Sequence, residues 1–519
     1  LRVLWLRAMR PGCLHLAGLA ITMVSYATVY AGEWDITPRV TLGETFTDNV
    51  NLEPSGEEDA GLITEVTPGI HVKGKSARLI ANIDYQLQAL FYLGDGGNDV
   101  GSNHQLFADI TGELVNDLFF VDASGRIFQT TIDTERRGGG SDLVSGTGAG
   151  NRTNVYGYSI SPYLRNNFGG YVNGLARYTH SRTFIDDGAS GSTSNAFSLN
   201  LSSGRNFRQL SWFGNLLHRK QERNSSAGDV TFKRADGEAR YRLSSTFSLV
   251  GQEGYRDDDF RTSRNDLNNG SYWAVGGNWQ PSRFFFIGAT KGNNLATASF
   301  GLFPTRRTSL LVNWQDLEVG SNPGETWTGS FSHRSRRTTW GASYTERTTT
   351  TQDQLLESST RNVFIDPETG EVVDNPQPGD NVVIQPVEDF TLTDEVFVRK
   401  RATGTVGMKT GKSGLRLTVY NVGRVYEESR TEETTNGVTS SWNYRLAPRT
   451  NSILTASWRG TERDESTDND RWFVQFDLVR RIRPDLLGSI NFRHTQQDSN
   501  ESRNNYTENR IFARITAFF

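Results

Sequence analysis

The stretch from Ala77 to Phe91, ARLIANIDYQLQALF, decides the fold. Leu79, Ala81, Ile83, Tyr85, Leu87, Ala89 and Phe91 fall on one parity, and Asn82, Asp84, Gln86 and Gln88 on the other. Successive side chains of a strand point to opposite faces, so this segment forms a ribbon with one greasy side and one wet side. The same two-residue period returns at Leu62, Val66, Ile70 and Val72, and again at Tyr156, Tyr158, Ile160 and Leu164. Leu415, Leu417, Val419 and Val425 stand opposite Arg416, Thr418 and Arg424; Trp442, Tyr444 and Leu446 stand opposite Asn443 and Arg445. Trp472, Val474, Phe476 and Leu478 repeat the pattern. No stretch carries a convincing apolar stripe of helical period, so helices should be few and short.

Composition narrows what such ribbons can build. The chain has 519 residues with 35% hydrophobic and 11% aromatic content, 52 glycines and a negative mean hydropathy. Beyond the first 31 residues no run reaches the 18 or so apolar residues of a membrane-spanning helix. Many alternating segments with one apolar face and little apolar content elsewhere predict an all-β transmembrane barrel. Counting them from Trp34 to Phe519 gives about 24 antiparallel strands, within a range of 22 to 26, and the topology requires an even number.

Residues 1–31 read as a cleaved signal peptide. Arg2, Arg7 and Arg10 precede an apolar run from Leu14 to Val29, and Val29 and Ala31 are small residues before a cut after Ala31. His15, Gly18, Thr22, Ser25 and Thr28 interrupt the run too often for a transmembrane helix. Residues 32–519 then form the barrel. The single cysteine, Cys13, lies in the signal, so the mature chain has no disulfide and no thiolate chemistry. Removing three arginines from 55 basic residues leaves 52 against 59 acidic, a net charge of −7, which excludes an ordinary nucleic-acid binder. A first strand beginning at Trp34 leaves no room for an N-terminal plug or a large passenger, an expectation that argues against TonB-dependent transporters and autotransporters.

Connections alternate between short and long. Tight turns fall at Gly74–Ala77, Asn116–Leu118, Leu243–Thr246, Pro281–Arg283, Gly411–Gly414, Ala447–Thr450 and Ile482–Asp485. Polar loops fall at 47–61, 130–153, 183–194, 258–270 and 461–470. Short turns belong on the periplasmic side and long loops outside. The longest connection, 349–394, holds Pro367, Pro376, Pro378 and Pro386, and either folds over or into the pore or lies as a surface loop. The chain ends in NRIFARITAFF, with Ile511, Ala513, Ile515, Ala517 and Phe519 on alternate positions. That ending resembles the C-terminal signal read by the barrel assembly machinery, which makes that machinery an expected partner.

The opening EWDITPRVTLGETFTDNVNLEPSGEEDAGLITEVTPGIHVKGKSARL resembles the outer-membrane barrel family associated with PEP-CTERM/exosortase exopolysaccharide systems. NDLFFVDASGRIFQ and GSYWAVGGNWQPSRFFF resemble it too, so the likeness spans nearly the whole mature chain. It implies a Gram-negative outer-membrane barrel acting as a conduit for exopolysaccharide. Polysaccharide and its secretion proteins would be partners, alongside lipid and lipopolysaccharide. The family supplies no catalytic or ligand positions to carry over. The alternative class is a structural barrel that anchors surface polysaccharide or sorted proteins.

Chemical motifs are sparse. The glycine-rich stretch Gly138–Gly150 precedes a strand and not a helix, so it reads as a loop and not a phosphate cradle. His71, His104, His180, His218, His333 and His494 stand singly, without metal-ligand spacing. No cofactor or metal is expected. A hydrolase would need one of these histidines beside both a Ser and an Asp, and no local cluster points to one, so the chain is read as a non-enzyme. The acidic runs Asp257–Asp259 and Asp468–Asp470 could bind divalent cations that bridge lipopolysaccharide, but read better as solvated loop charge. The sharper candidates are Arg416, Arg424, Arg445, Arg459, Arg493, Arg510 and Arg514, all on the wet parity of C-terminal strands. Such a row either draws an anionic polymer along the lumen or pairs with neighbouring carboxylates and stiffens the wall.

Overall fold

The computed structural model describes residues 32–94, 99–138, 150–223, 228–263, 267–357, 390–464 and 468–519, and the backbone of 362–365, 372–373 and 381–384. Residues 1–31, read above as a signal peptide, residues 139–149 of the glycine-rich stretch and the middle of the longest connection lie outside the described residues or are described only in backbone.

Twenty-four strands form one antiparallel sheet that closes on itself. They begin with β1 (Glu33–Thr47), β2 (Gly61–Lys75), β3 (Leu79–Gly94), β4 (Asp99–Val115), β5 (Phe119–Thr131) and β6 (Arg152–Phe168). Next come β7 (Val172–Ile185), β8 (Ser192–Ser203), β9 (Leu210–Arg223), β10 (Val230–Arg242), β11 (Phe247–Asp259) and β12 (Gly270–Ser282). β13 (Phe285–Asn293), β14 (Leu295–Thr305), β15 (Thr308–Leu317), β16 (Gly324–Arg334) and β17 (Thr338–Thr350) follow. Among its described residues the long connection holds an α-helix, α1 (Thr351–Glu357), and a separate three-stranded sheet of β18 (Asn362–Ile365), β19 (Val372–Val373) and β20 (Asn381–Ile384). The wall resumes with β21 (Val396–Lys409), β22 (Ser413–Tyr426), β23 (Glu432–Ala447), β24 (Thr450–Arg463), β25 (Asn469–Arg483), β26 (Leu486–Ser499) and β27 (Tyr506–Phe518).

Each wall strand pairs with the next wall strand, β17 with β21 across the long connection, and β1 pairs with β27 from Arg39↔Phe518 to Thr47↔Arg510. Closure leaves no edge with unpaired N–H and C=O groups, a condition that lipid, which offers no hydrogen bonds, imposes on any spanning sheet. The strand count is the one the alternating pattern predicts. The seven tight turns all fall at strand joins, within two residues of their expected places. The loop expected at 183–194 is shorter, because Thr183 still pairs with Ser192 and both are buried.

Parity decides the two faces. Ile36, Leu42, Phe46, Leu62, Ile70, Phe91, Leu415, Leu417, Val419, Ile511 and Ile515 are large apolar side chains left exposed on the outside. Outward aromatics cluster near both ends: Trp34, Trp279, Trp340 and Trp442 near the turns, Phe46, Trp273, Trp327 and Trp458 near the loops. Trp34 and Phe46 are twelve residues apart on β1. At about 3.3 Å per residue and a tilt of about 40° that separates them by about 30 Å across the wall, the thickness of a bilayer core. The aromatic ends match the belts that anchor a barrel at its two interfaces.

The inner face corrects one expectation. Near the turns it is mostly polar, with Phe120, Ile453 and Val479 buried there, and near the loops it carries apolar patches on the parity expected to be polar. Ile63 and Leu90 pack with Val50, and Val230, Phe232 and Val396 pack with Phe260.

Candidate functional site: a lumen closed at one end

Contacts cross the loop half of the lumen, and the ends of the long connection make many of them. At the end of β17 the hydroxyl of Thr350 accepts a hydrogen bond from Asp353 N at 3.3 Å. This caps the first turn of α1, where Asp353 also suits the helix dipole. The helix leaves β17 and reaches β6, which lies nearly opposite in the ring: β7 to β16 stand between them on one side, β21 to β27 and β1 to β5 on the other. There Leu355 is buried with Val155 of β6 and with Phe390 and Leu392. A Cβ on Gly157 of β6 would come within 3.0 Å of Leu356, so the glycine leaves the helix room against the wall.

Polar contacts fix both ends of this crossing. Asp353 pairs with Arg219 of β9. Gln352 donates to the Ser190 carbonyl at 2.8 Å. The Asp394 carboxylate accepts from Ser190 N at 2.7 Å and Ser190 Oγ at 2.8 Å, while Arg223 donates to the Asp394 carbonyl. Leu392 N donates to Ile132 O at 2.9 Å, and Asn469 of β25 donates to Thr134 O at 2.7 Å. The 132–138 segment therefore joins the same closure. A second crossing links the 260–269 loop to residues 427–430, with Ser263 N donating to Glu427 O at 2.9 Å and Arg261 at 3.0 Å from Glu428.

All seven arginines lie on the inward parity of their strands, opposite the exposed apolar face, but the structure divides them. Arg424 and Glu433 form an ion pair at 2.8 Å with both side chains fully buried; Tyr426 donates to the same carboxylate at 3.2 Å. Arg493 is buried, bonds Thr495 at 3.2 Å and lies over the Phe473 ring. Arg510 is buried near the Phe512 ring, and Arg514 pairs with Glu65 at 3.0 Å. Arg459 is engaged as well. Pairing with a carboxylate across the strands describes Arg424 and Arg514; Arg493 and Arg510 are held against a hydroxyl and aromatic rings. Arg416 and Arg445 lie toward the turns, exposed and half-buried, with no side-chain ion pair among the described residues.

Sequence reasoning missed other inward clusters. Arg39, 2.7 Å from Asp84, shares that carboxylate with His71 at 3.3 Å. Arg177 pairs with Asp122 at 2.8 Å and stacks over Tyr163. Strict parity exposes the first cluster, since Arg39 and Asp84 both sit on inward positions of β1 and β3. The acidic run Asp257–Asp259 is a correction: it ends strand β11, and Asp258 is buried, accepting from Ser321 N at 2.9 Å and facing Arg234 at 3.4 Å. Among the described histidines, His104, His180, His333 and His494 bond Tyr85, Asn195, Thr308 and Asn509, with no Ser and Asp together at any of them. At the C-terminus Ile511, Ala513, Ile515 and Phe519 face outward along the closing strand, and Phe519 N donates to Pro38 O at 2.9 Å.

The two ends differ in charge. The turns carry Arg78, Arg205, Arg208, Arg283, Arg306 and Arg307, then Arg336, Arg337, Lys412 and Arg449, against only Asp117 and Asp485. Those ten cations are exposed and make no ion pair among the described residues. The loop end is mixed, exposing Glu57, Glu58, Asp186, Asp187, Asp464 and Asp468 together with Arg136, Arg261, Arg430 and Arg503. Hydrogen bonds from the backbone N–H groups of Glu58 itself and of Gly56 hold the Glu58 carboxyl below the usual carboxylate range.

A closed wall, apolar outside and polar or packed inside, defines an integral β-barrel of the outer-membrane class. No protein-family model and no curated protein matches the chain. Among solved structures it is similar to the FrpB iron transporter from Neisseria meningitidis (F5-1 variant), at 11% identity and TM-score 0.45 over 93% of this chain and 82% of that one. It is also similar to the siderophore receptor PirA from Pseudomonas aeruginosa, at 11% identity and TM-score 0.41 over 93% and 80%. A loop-deletion mutant of OmpT, an outer membrane protein of Vibrio cholerae, aligns at 10% identity and TM-score 0.30 over 94% and 100%.

Proposed function

We propose that the barrel is a conduit for an anionic exopolysaccharide, held shut at its loop end by the connection between β17 and β21. One observation carries the reading: Arg416 and Arg445, inward cations with no ion pair among the described residues, line the turn half, while the contacts that cross the lumen, those of the β17–β21 connection among them, lie at the loop end. Cations inside low-dielectric walls raise the local concentration of an anionic chain. A closure built on α1 and residues 390–395 can be displaced without breaking the wall. The resemblance of the opening strands to barrels of PEP-CTERM/exosortase systems supplies the exopolysaccharide part of the proposal, and secretion proteins of such a system would deliver the polymer to the turn side. The reading assigns the protein no catalytic step.

A second reading, a non-conducting barrel that organises surface polysaccharide, draws on the buried contacts that cross the lumen. Single-channel recording separates the two. The refolded full chain should be nearly silent, and a variant in which residues 351–395 are replaced by a short Gly-Ser link should pass large, anion-selective currents. Silence of both proteins, with the variant folded, would leave the structural reading standing.

A further inference from the structure

An apolar groove of about 560 Å³ runs along the outside of the wall across β15, β16, β17, β21 and β22. Its floor is made of small outward residues, Gly329, Ala342, Ala402 and Gly404, and its sides of Leu310, Phe331 and Val419. Parity places these side chains outward: Phe331 pairs with Ala342, Ala342 with Gly404, and Gly404 with the exposed Val419. The groove thus opens on the hydrocarbon, and its volume lies in the range of about 300–1,000 Å³ that takes a small ligand.

The turns that end these same strands carry the densest group of cations without an ion pair among the described residues. Arg306 and Arg307 join β14 to β15, Arg336 and Arg337 join β16 to β17, and Lys412 joins β21 to β22. Outward Trp340, three residues from Arg337, marks the interface. Three residues of tilted strand set Arg337 roughly 7–8 Å beyond that ring, about the depth of the headgroup layer outside a hydrocarbon core of about 30 Å.

We propose that groove and cations together form a site for one class of ligand, an anionic phospholipid of the turn-side leaflet. Its acyl chain lies on the Gly329, Ala342, Ala402 and Gly404 floor, and its phosphate sits among Arg306, Arg307, Arg336 and Arg337. Neither feature selects this lipid alone: the groove would take any acyl chain, and the cations any anion. The inference does not depend on the barrel conducting anything.

The test uses the full refolded chain in mixed micelles of phosphatidylglycerol and phosphatidylcholine at equal amounts, with retained lipid counted by native mass spectrometry. Phosphatidylglycerol should be enriched at least about five-fold, as expected for several unscreened cations at one anionic headgroup at low salt. The variant Arg306→Gln, Arg307→Gln, Arg336→Gln, Arg337→Gln should retain both lipids equally, and the matching Arg→Lys variant should keep the enrichment. Filling the floor with Ala402→Phe should reduce retention of both lipids. These positions are exposed or face lipid, and resistance of the folded band to SDS without heating checks that each variant is folded. Equal retention by the unaltered chain, or enrichment unchanged in the Gln variant, would overturn the proposal. So would complete displacement of the lipid by dextran sulfate, which would assign the cations to a soluble polyanion. A dimer in detergent that Ala402→Phe converts to monomer with lipid retention intact would assign the groove to a second copy of the chain.

Discussion

The loop half and the turn half of this barrel share strands but not physics. In the loop half, inward side chains meet across the lumen: Arg424 and Glu433 are fully buried, Leu355 sits among Val155, Phe390 and Leu392, and Asp394 is held by Ser190. In the turn half, inward residues such as Arg416 meet water, and the turns add a ring of exposed cations. The crossing contacts therefore lie at the loop end and the dense group of exposed cations at the turn end. Substitutions of similar size should produce different kinds of effect in the two halves.

The largest effect is expected at the buried pair. Glu433→Ala takes the carboxylate from a fully buried Arg424 guanidinium, and removal of one partner of a buried pair costs about 3–5 kcal/mol. Guanidinium unfolding of the barrel in liposomes should show a loss of that order. Replacing both residues with apolar ones of similar volume should cost far less, because no charge is then left alone. If Glu433→Ala unfolds at the same denaturant concentration as the unaltered chain, the loop half is not the packed end.

Leu355→Ala comes next. It removes the apolar anchor of α1 on the far wall, at about 2–5 kcal/mol for a buried leucine. The loss falls on the crossing and spares the wall, so amides of α1 should exchange with solvent at least about thirty-fold faster while amides in the middle of β6 keep their protection. Uniform acceleration would mean that the crossing and the wall unfold together.

This division was only half legible in the sequence. The wall was legible because lipid outside and water inside force a two-residue period, so Leu415 through Val425 and Ile511 through Phe519 announce their own faces. The closure was not, because its partners are far apart: Leu355 meets Val155, and Asn469 meets Thr134, through geometry that no local pattern encodes. A trace was present, however. Val396-Phe397-Val398 is apolar on both parities, as is Val230 with Phe232 on the wet one, and an apolar inward residue near a loop marks where something covers the wall. The seven arginines share a parity, which the sequence shows; that Arg424 and Arg514 meet carboxylates depends on where Glu433 and Glu65 fall in the neighbouring strands, which requires register.

Asp353→Asn tests the polar side of the closure and should have a smaller effect. Its partner Arg219 is partly exposed, and pairs of that kind contribute about 1 kcal/mol at most. A loss of that size raises the open fraction in single-channel records by about five-fold. Because the pair is partly screened, the difference between variant and unaltered chain should shrink as salt is raised. A difference that is constant across salt would show that Asp353 acts by capping α1 and not through its charge.

The smallest effect on stability, and the one most telling for function, is expected from Arg416→Gln with Arg445→Gln. Neither side chain has an ion pair to lose among the described residues, so unfolding should shift by no more than about 0.5 kcal/mol, the usual range for surface changes. The field at the turn end should nevertheless weaken, because charges held between low-dielectric walls act on anything entering the lumen. Placed in the chain lacking residues 351–395, the double change should move the anion-to-cation permeability ratio toward unity at 0.1 M salt, where the screening length is about 10 Å, and much less at 1 M, where it is about 3 Å. A ratio unmoved at the lower salt would mean that these two cations steer nothing, and that the arginines of this lumen serve the wall alone.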